Sequence, residues 1–438
     1  MKIKSAVTAR LAKHNDFVFT AYASLAAFAA YSCMYAFRKP FAAAQFAGLN
    51  VLGMDYKTVI IIAQVFGYML SKAIGIKVIA ELTRANRPRL MIIFMGLAEL
   101  SLVLFAFVPP PLNAVFLFMN GLPLGMVWGI VFSYIEGRKR TDIIALVLCA
   151  SFVLASGFVK TVGKAFLNMG VSDFHMPFVT GAVFFAPLLG FLWMLESLPP
   201  PTDEDRVLRT ERIPMNGRER KAFFAAFAPG LILMIAAYIF LTAFRDFRDN
   251  YMADIWKALG RGGSSSIFTM TEIPIAVGIL LVLALLLRVR DNYRALVINH
   301  LAIIAGFSIV GVSTLLYQGH TLAPTVWMIC VGFGLFLGYI PFNGVVFDRL
   351  IAVFRYKSNA GFLIYVADFL GYLASVGVLV TKSFFQSRLT YVEFFIIAGY
   401  TLSIFGTAVM SLSLVYFAAR KRSWKRRKES DAAARSYS

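Results

Sequence analysis

About twelve stretches of predominantly apolar residues divide this chain, each close to the roughly twenty residues a helix needs to cross a bilayer. They fall near 17–40, 56–79, 90–108, 113–135, 143–167 and 176–196, then near 224–250, 267–287, 295–316, 324–346, 359–382 and 391–419. With 59% of 438 residues hydrophobic and only 15% charged, the chain has too little polar surface for a soluble domain of its length. The expected class is an all-α membrane protein. A polar stretch at 196–221 separates six spans from six. The expected organisation is a first bundle over 1–196, a cytoplasmic linker over 197–222, a second bundle over 223–419 and a basic tail over 420–438. The two bundles form a pseudo-symmetric pair.

The formal net charge of +20 would suit nucleic acid, but its placement argues otherwise. Lys and Arg gather before the first span and in every second loop: Arg84, Arg87 and Arg89, then Arg138, Lys139 and Arg140, then Arg288, Arg290 and Arg294, then Arg349, Arg355 and Lys357. Alternate loops hold few, such as Lys57, Lys257 and Arg388. This positive-inside pattern puts both termini in the cytoplasm of a multi-pass plasma-membrane protein, the inner membrane in a bacterium. The basic tail is expected against anionic lipid. The first apolar run is too long for a signal-peptide core and no small-residue cleavage site follows it, so it reads as the first span. Cys33, Cys149 and Cys330 lie far apart in apolar runs, with no spacing for a disulfide or a metal.

Two arginines interrupt the apolar pattern, and their surroundings repeat. Tyr35-Ala36-Phe37-Arg38-Lys39 closes the first run, and Thr242-Ala243-Phe244-Arg245-Asp246 closes the run that begins the second half. A guanidinium in hydrocarbon costs several kcal/mol, so it is kept there facing a wet cavity or an anion. Matching places in two halves suggest one site lined by two equivalent helices. At helical spacing Arg38 shares a face with Tyr31, Met34 or Tyr35, Phe41 and Gln45. An arginine fork among tyrosine hydroxyls suits phosphoryl or carboxylate oxygens. The alternative for Arg38 is snorkelling to the interface.

Further charged residues lie inside the runs. Tyr68 and Lys72 share one face, as do Lys160 and Lys164. In the seventh run Arg248 is expected to pair with Asp249 or Asp246, and Asp254 to sit at a solvated helix end. Glu99, Glu272 and Asp368 are candidates for proton uptake or for structural ion pairs. His14, His175, His300 and His320 read as loop or helix-end residues, which disfavours a histidine relay. Gly121, Gly125 and Gly129, and Gly334 with Gly338, suit close helix packing. No nucleotide loop, zinc spacing or catalytic triad is present, so gradients are the expected motor and no enzyme or cofactor is expected.

These residues, taken in order, resemble the organophosphate:phosphate antiporter family of the major facilitator superfamily. The resemblance is patchy and collinear along nearly the whole chain. It rests on Tyr35-x-x-Arg38-Lys39-x-Phe41-Ala42, Tyr68-x-x-Ser71-Lys72, Gly121-x3-Gly125-Met126-x-Trp128, Phe336-Leu337-x-Tyr339-x-Pro341, Ala360-Gly361-Phe362 and Gly371-Tyr372-Leu373. It implies that Arg38 and Arg245 hold a phosphate, that Tyr31, Tyr68, Lys72, Tyr339 and Tyr372 line its pocket, and that Glu272 couples the halves. Three places depart from the family. Its histidine of the fifth helix aligns near Ser156, its Gly-x3-Asp-Arg loop reads Gly75-Ile76-Lys77-Val78, and its tyrosine before the second arginine is Thr242.

The expectation is a monomeric secondary transporter of a small anionic solute, an organophosphate above all, with phosphate or a proton as the coupling species. Tyr35, Lys39 and Lys160 complete the binding set, and Asp249, Glu272 and Asp368 serve coupling or gating. Rival readings are a proton-coupled carboxylate or cell-wall-fragment importer and a non-transporting organophosphate sensor.

Overall fold

A computed structural model describes residues 2–13, 15–80, 82–136, 138, 140–200, 217–354, 360–384 and 388–436. Among them, twelve helices are long and apolar enough to cross a membrane. The first six are Asp16–Tyr35, Tyr56–Ala80, Arg87–Phe107, Ala114–Ile135, Thr141–Asn168 and Met176–Glu196. The second six are Gly217–Asn250, Ile267–Leu287, Asn292–Gln318, Pro324–Gly344, Ala360–Phe384 and Tyr391–Ser436. They are numbered here as spans one to twelve. Most of the linker expected at 197–222 lies outside the described residues, as do Lys139, Arg355 and Lys357.

A short helix, Lys2–Lys13, marks what we call the proximal face. Its Lys4 Nζ pairs with Glu196 Oε2 at 2.9 Å, and its Thr8 hydroxyl donates to the Ser197 carbonyl at 2.9 Å, both at the end of span six. The opposite, distal face carries the 3-10 turn Pro40–Ala43, a hairpin of Asn50–Val51 with Met54–Asp55, and the short helix Met252–Ala258.

Small residues set the spacing within each bundle. A Cβ on Gly121 would collide with the Gln64 carbonyl and lie 2.8 Å from the Tyr68 nitrogen, and one on Gly125 would lie 2.6 Å from Ser71 Oγ. Span four therefore lies close on span two, backbone to backbone at Gly121 and against the small Ser71 side chain at Gly125. The second bundle repeats the device, with Gly334 facing the Gly306 carbonyl and Gly306 facing the Gly338 nitrogen between spans nine and ten. Gly121, Gly125, Gly334 and Gly338 act in packing, as the sequence suggests. Large apolar side chains such as Leu281, Ile404 and Val415 are exposed on the outer faces, where lipid would cover them.

Across the bundles, span two packs on span eleven and span five on span eight. At the second seam a Cβ on Gly157 would lie 2.7 Å from the Phe268 carbonyl, so the fifth and eighth helices also approach backbone to backbone.

His300 is a correction. It lies well inside span nine, fully buried, with Nδ1 2.8 Å from the Leu296 carbonyl and Nε2 3.2 Å from Ser413 Oγ. The carbonyl can only accept, so Nδ1 carries the proton and the ring ties span nine to span twelve. The helix begins at Asn292, three residues before the expected start of the run at 295.

Overpacking of a close seam costs about 1–3 kcal/mol. Gly121→Ala is therefore expected to lower the thermal midpoint of the purified protein, whereas Gly190→Ala, in a helix interior with nothing within 4 Å of the added carbon, should keep or raise it. Equal midpoints for the two variants would refute the glycine argument.

Candidate functional site

The repeated Ala-Phe-Arg tripeptides have different backbones. Arg245 sits within the continuous helix of span seven, as expected. The helix of span one, expected to run to residue 40, ends at Tyr35, and Arg38 lies in a run of turns beyond it. Pro40 supplies the reason, because it has no N–H to bond the Ala36 carbonyl and so cannot carry the helix further. Carbonyls orphaned at a helix end need partners. The Phe37 carbonyl accepts from Asn120 Nδ2 at 3.0 Å, and the Arg38 carbonyl from Gln64 Nε2 at 3.0 Å. Gln64 Nε2 also donates to Asn120 Oδ1 at 2.8 Å, so spans two and four together hold the turn.

That turn aims the Arg38 guanidinium at the face of Tyr68, 3.7 Å from the ring centroid. The residue is 5% exposed, its Nε has no hydrogen-bond partner, and among the described residues no carboxylate lies within ion-pairing distance. A desolvated cation over a ring gains about 2 kcal/mol, less than its burial costs. Arg245 is better provided. It donates to Asp246 Oδ1 at 2.8 Å and to the Tyr372 hydroxyl at 3.3 Å, and lies 4.2 Å from the Tyr339 ring centroid. Ser375 Oγ donates to the other oxygen of Asp246 at 3.0 Å.

Tyr68 and Tyr372 join the two cages, edge to face with centroids 5.1 Å apart. Each lies about 18 Å from the start of its helix at the α-helical rise, close to the middle of a 30 Å hydrocarbon core. Tyr35 lies within electrostatic reach of Arg38, Arg245 and Asp249. Tyr31 packs edge-on against Tyr35 and Trp128. In this conformation both arginines are buried among aromatic rings, where an open wet vestibule was expected.

Toward the proximal face, Lys72 Nζ lies 3.4 Å from Asp368 Oδ2, and Tyr238 donates to Asp368 Oδ1 at 2.5 Å. Tyr238 also stacks on Tyr339 with centroids 5.2 Å apart. Sequence reasoning missed Tyr238. It lies seven residues, two helical turns, before Arg245, and that period was the available signal.

Toward the distal face, Asp249 is the hub. It takes Lys39 Nζ at 2.6 Å through Oδ2, while Lys160 Nζ and Ser156 Oγ both bond Oδ1. Lys39 also donates to Asn250 Oδ1 at 2.9 Å. Lys39 lies past the end of span one. Burial pushes its ammonium down, against the pull of Asp249. Further out, Lys57 pairs with Asp254 at 2.6 Å, Thr58 bonds the Tyr251 hydroxyl at 2.6 Å, and Thr161 bonds Thr269 at 2.7 Å. The distal side is thus sealed. Two expectations are corrected here. Asp254 is an interbundle ion-pair partner, because the hairpin before span two places Lys57 opposite it. Arg248 pairs with neither Asp246 nor Asp249; its Nη1 reaches Glu272 at 2.9 Å, since helical rotation turns it toward span eight. Glu272 is therefore engaged inside the second bundle. Lys164 faces a distal cavity, away from the arginines.

A family model described as a family of unknown function (DUF5690) matches residues 40–420. The chain belongs to that family. No curated protein matches its sequence. Solved structures similar to this DUF5690 chain include a D-xylose–proton symporter, with TM-score 0.59 and 14% identity over 89% of this chain and 97% of that one. The nucleoside transporter NupG gives 0.60 and 13% over 91% and 98%. A bacterial homologue of the human drug peptide transporters PepT1 and PepT2 gives 0.61 and 14% over 93% and 98%. At such identities the likeness is one of fold, and the fold is the twelve-helix major facilitator fold.

Removing one member of a buried ion cluster leaves its partners uncompensated, at a cost of about 3–5 kcal/mol. Asp249→Ala is expected to loosen the distal seam, so that a cysteine placed by Thr161→Cys becomes reactive to a membrane-impermeant maleimide. Asp249→Glu, which keeps the charge, should protect it more. Equal labelling with and without Asp249 would remove the hub from the seal.

Proposed function

We propose that this chain is a secondary transporter that carries a small organic phosphate between its two bundles by alternating access. The observation that carries the reading is Arg38, a buried guanidinium without a counter-charge among the described residues, joined to Arg245 through Tyr68 and Tyr372. The charges agree with a phosphate. Among the described residues, the ion-pair partners of Lys39, Lys72, Lys160, Arg245 and Arg248 are Asp246, Asp249, Glu272 and Asp368, so with Arg38 six cations stand against four carboxylates. A phosphate monoester carries about −1.5 to −2 at neutral pH, and its three oxygens accept from guanidinium forks. The solute would enter between Arg38 and Arg245 by displacing the tyrosine pair, with Tyr31, Tyr35, Tyr339 and Lys72 as its walls.

Alternating access follows from the ties already described. The structure is sealed on the distal side, which the positive-inside pattern makes the external one. Opening there requires Asp249 to release Lys39 and Lys160, and solute contacts to both bundles supply differential affinity for one state.

Purified protein in phosphate-loaded vesicles should exchange internal phosphate for sugar or amino-alcohol phosphates. A charged hydrogen-bond fork is worth about 1.5–3 kcal/mol, so Arg38→Lys, which keeps the charge and loses the fork, should cut exchange roughly ten- to a hundredfold. Wild-type exchange in Arg38→Lys would discard the phosphate cage. Ligand binding with no counterflow would favour the sensor reading.

Asp368 supports a second reading of the coupling. Its carboxylate bridges to Lys72 across the bundles, and loss of its charge would release that tie. On that reading a pH gradient drives uptake without internal phosphate, and Asp368→Asn abolishes the effect. Uptake that depends on internal phosphate alone would exclude it.

A further inference from the structure

The distal surface holds a cavity of about 420 Å³ at the seam between the bundles, apart from the arginine pair. Its polar wall is made of hydrogen-bond donors from both sides. Lys164 of span five and Gln45, which follows the Pro40–Ala43 turn, come from the first bundle, and Lys257 comes from the short helix after span seven. Ala43, Ala253 and Phe268 make an apolar floor, and Gly260, Gly262 and Gly263 complete the lining.

The local structure presents these groups for a reason that can be traced. Gly260 has φ of +75°, a conformation glycine adopts without strain, so the chain turns back immediately after Met252–Ala258. The returning loop passes over the stem of Lys257, and a Cβ on Gly262 would lie 3.0 Å from the Lys257 Cα. The glycine loop confines the lysine stem and adds no side chain to fill the space. On the other wall, Asp173 accepts the Gln45 and Phe46 N–H groups at 3.2 and 2.7 Å and fixes the segment that carries Gln45. Lys257 Nζ donates to Gln45 Oε1 at 3.4 Å across the seam.

Neither Lys164 nor Lys257 has a carboxylate within ion-pairing distance among the described residues, whereas the seam lysines Lys39, Lys57 and Lys160 each have one. Two uncompensated ammonium groups from opposite bundles share one cavity. We propose that this cavity is a second anion site that takes a phosphate group, with Lys164 and Lys257 as point-charge ligands and the Gln45 amide as a further donor. An anion held there ties the bundles on the distal side and stabilises the sealed conformation, because its ligands come from both. The site stands on its own geometry and does not require the central reading to hold.

The test is the thermal shift caused by sodium phosphate relative to sodium chloride at matched ionic strength, which cancels any change in baseline stability. Lys164→Gln with Lys257→Gln should lose part of the wild-type shift, and Lys164→Arg with Lys257→Arg should keep it. In an Arg38→Gln background the same glutamine pair should bring the remaining shift down to the general salting effect of phosphate. If Arg38→Gln does not fold, the comparison in the otherwise wild-type chain decides alone. A glutamine pair with the full wild-type shift, or a wild-type protein with none, overturns the distal site. A shift untouched by Arg38→Gln and abolished by the glutamine pair would instead overturn the central phosphate reading and leave the distal site standing.

Discussion

An uncompensated guanidinium in a low-dielectric interior is the constraint around which this molecule is organised. Arg38 is tolerated because its surroundings are fixed before any solute arrives. Pro40 stops the helix, Asn120 and Gln64 satisfy the carbonyls that the stop exposes, and Tyr68 offers the face of its ring. None of these supplies an opposite charge. The glycine contacts of span four make the arrangement possible, because they bring Asn120 and Gln64 close enough to share one turn. Helix packing, backbone termination and site chemistry are one problem here, solved on three adjacent spans.

The two halves of the chain solve it differently, although they share a tripeptide. Arg245 is followed by Asp246, which pairs with it; Arg38 is followed by Lys39, which cannot. The inversion extends further. Among the described residues every ion pair between the bundles runs from a lysine of the first to an aspartate of the second: Lys39 and Lys160 to Asp249, Lys57 to Asp254, and Lys72 to Asp368. One bundle presents cations, the other anions, and the seam is held by their attraction.

Much of this was legible in the sequence, and the parts that were not share one cause. The spans follow from hydropathy, and the glycine contacts from spacing, because both are local. Arg245 was found in place because a helix carries its register forward. Arg38 was found as a residue and lost as a geometry, since Pro40 signals a break without saying how the chain continues. Asp254 and the Arg248–Glu272 pair were misread because their partners lie on other helices, and Tyr238 was missed because its partners, Asp368 and Tyr339, do too. Periodicity shows which residues share a face and is silent on what that face meets.

The charge inversion gives the proposed transport cycle a physical basis. An anionic solute that reaches the first bundle's cations offers them what the second bundle's aspartates offer now. Binding and interbundle pairing therefore compete for the same groups, Lys72 first and the Asp249 cluster beyond it. A neutral solute could not enter that competition, and a cationic one would bind the aspartates while leaving Arg38 uncompensated. On the proposed reading an anion both satisfies the buried guanidinium and weakens the ties that hold the bundles, which would make recognition and opening consequences of the same electrostatic exchange.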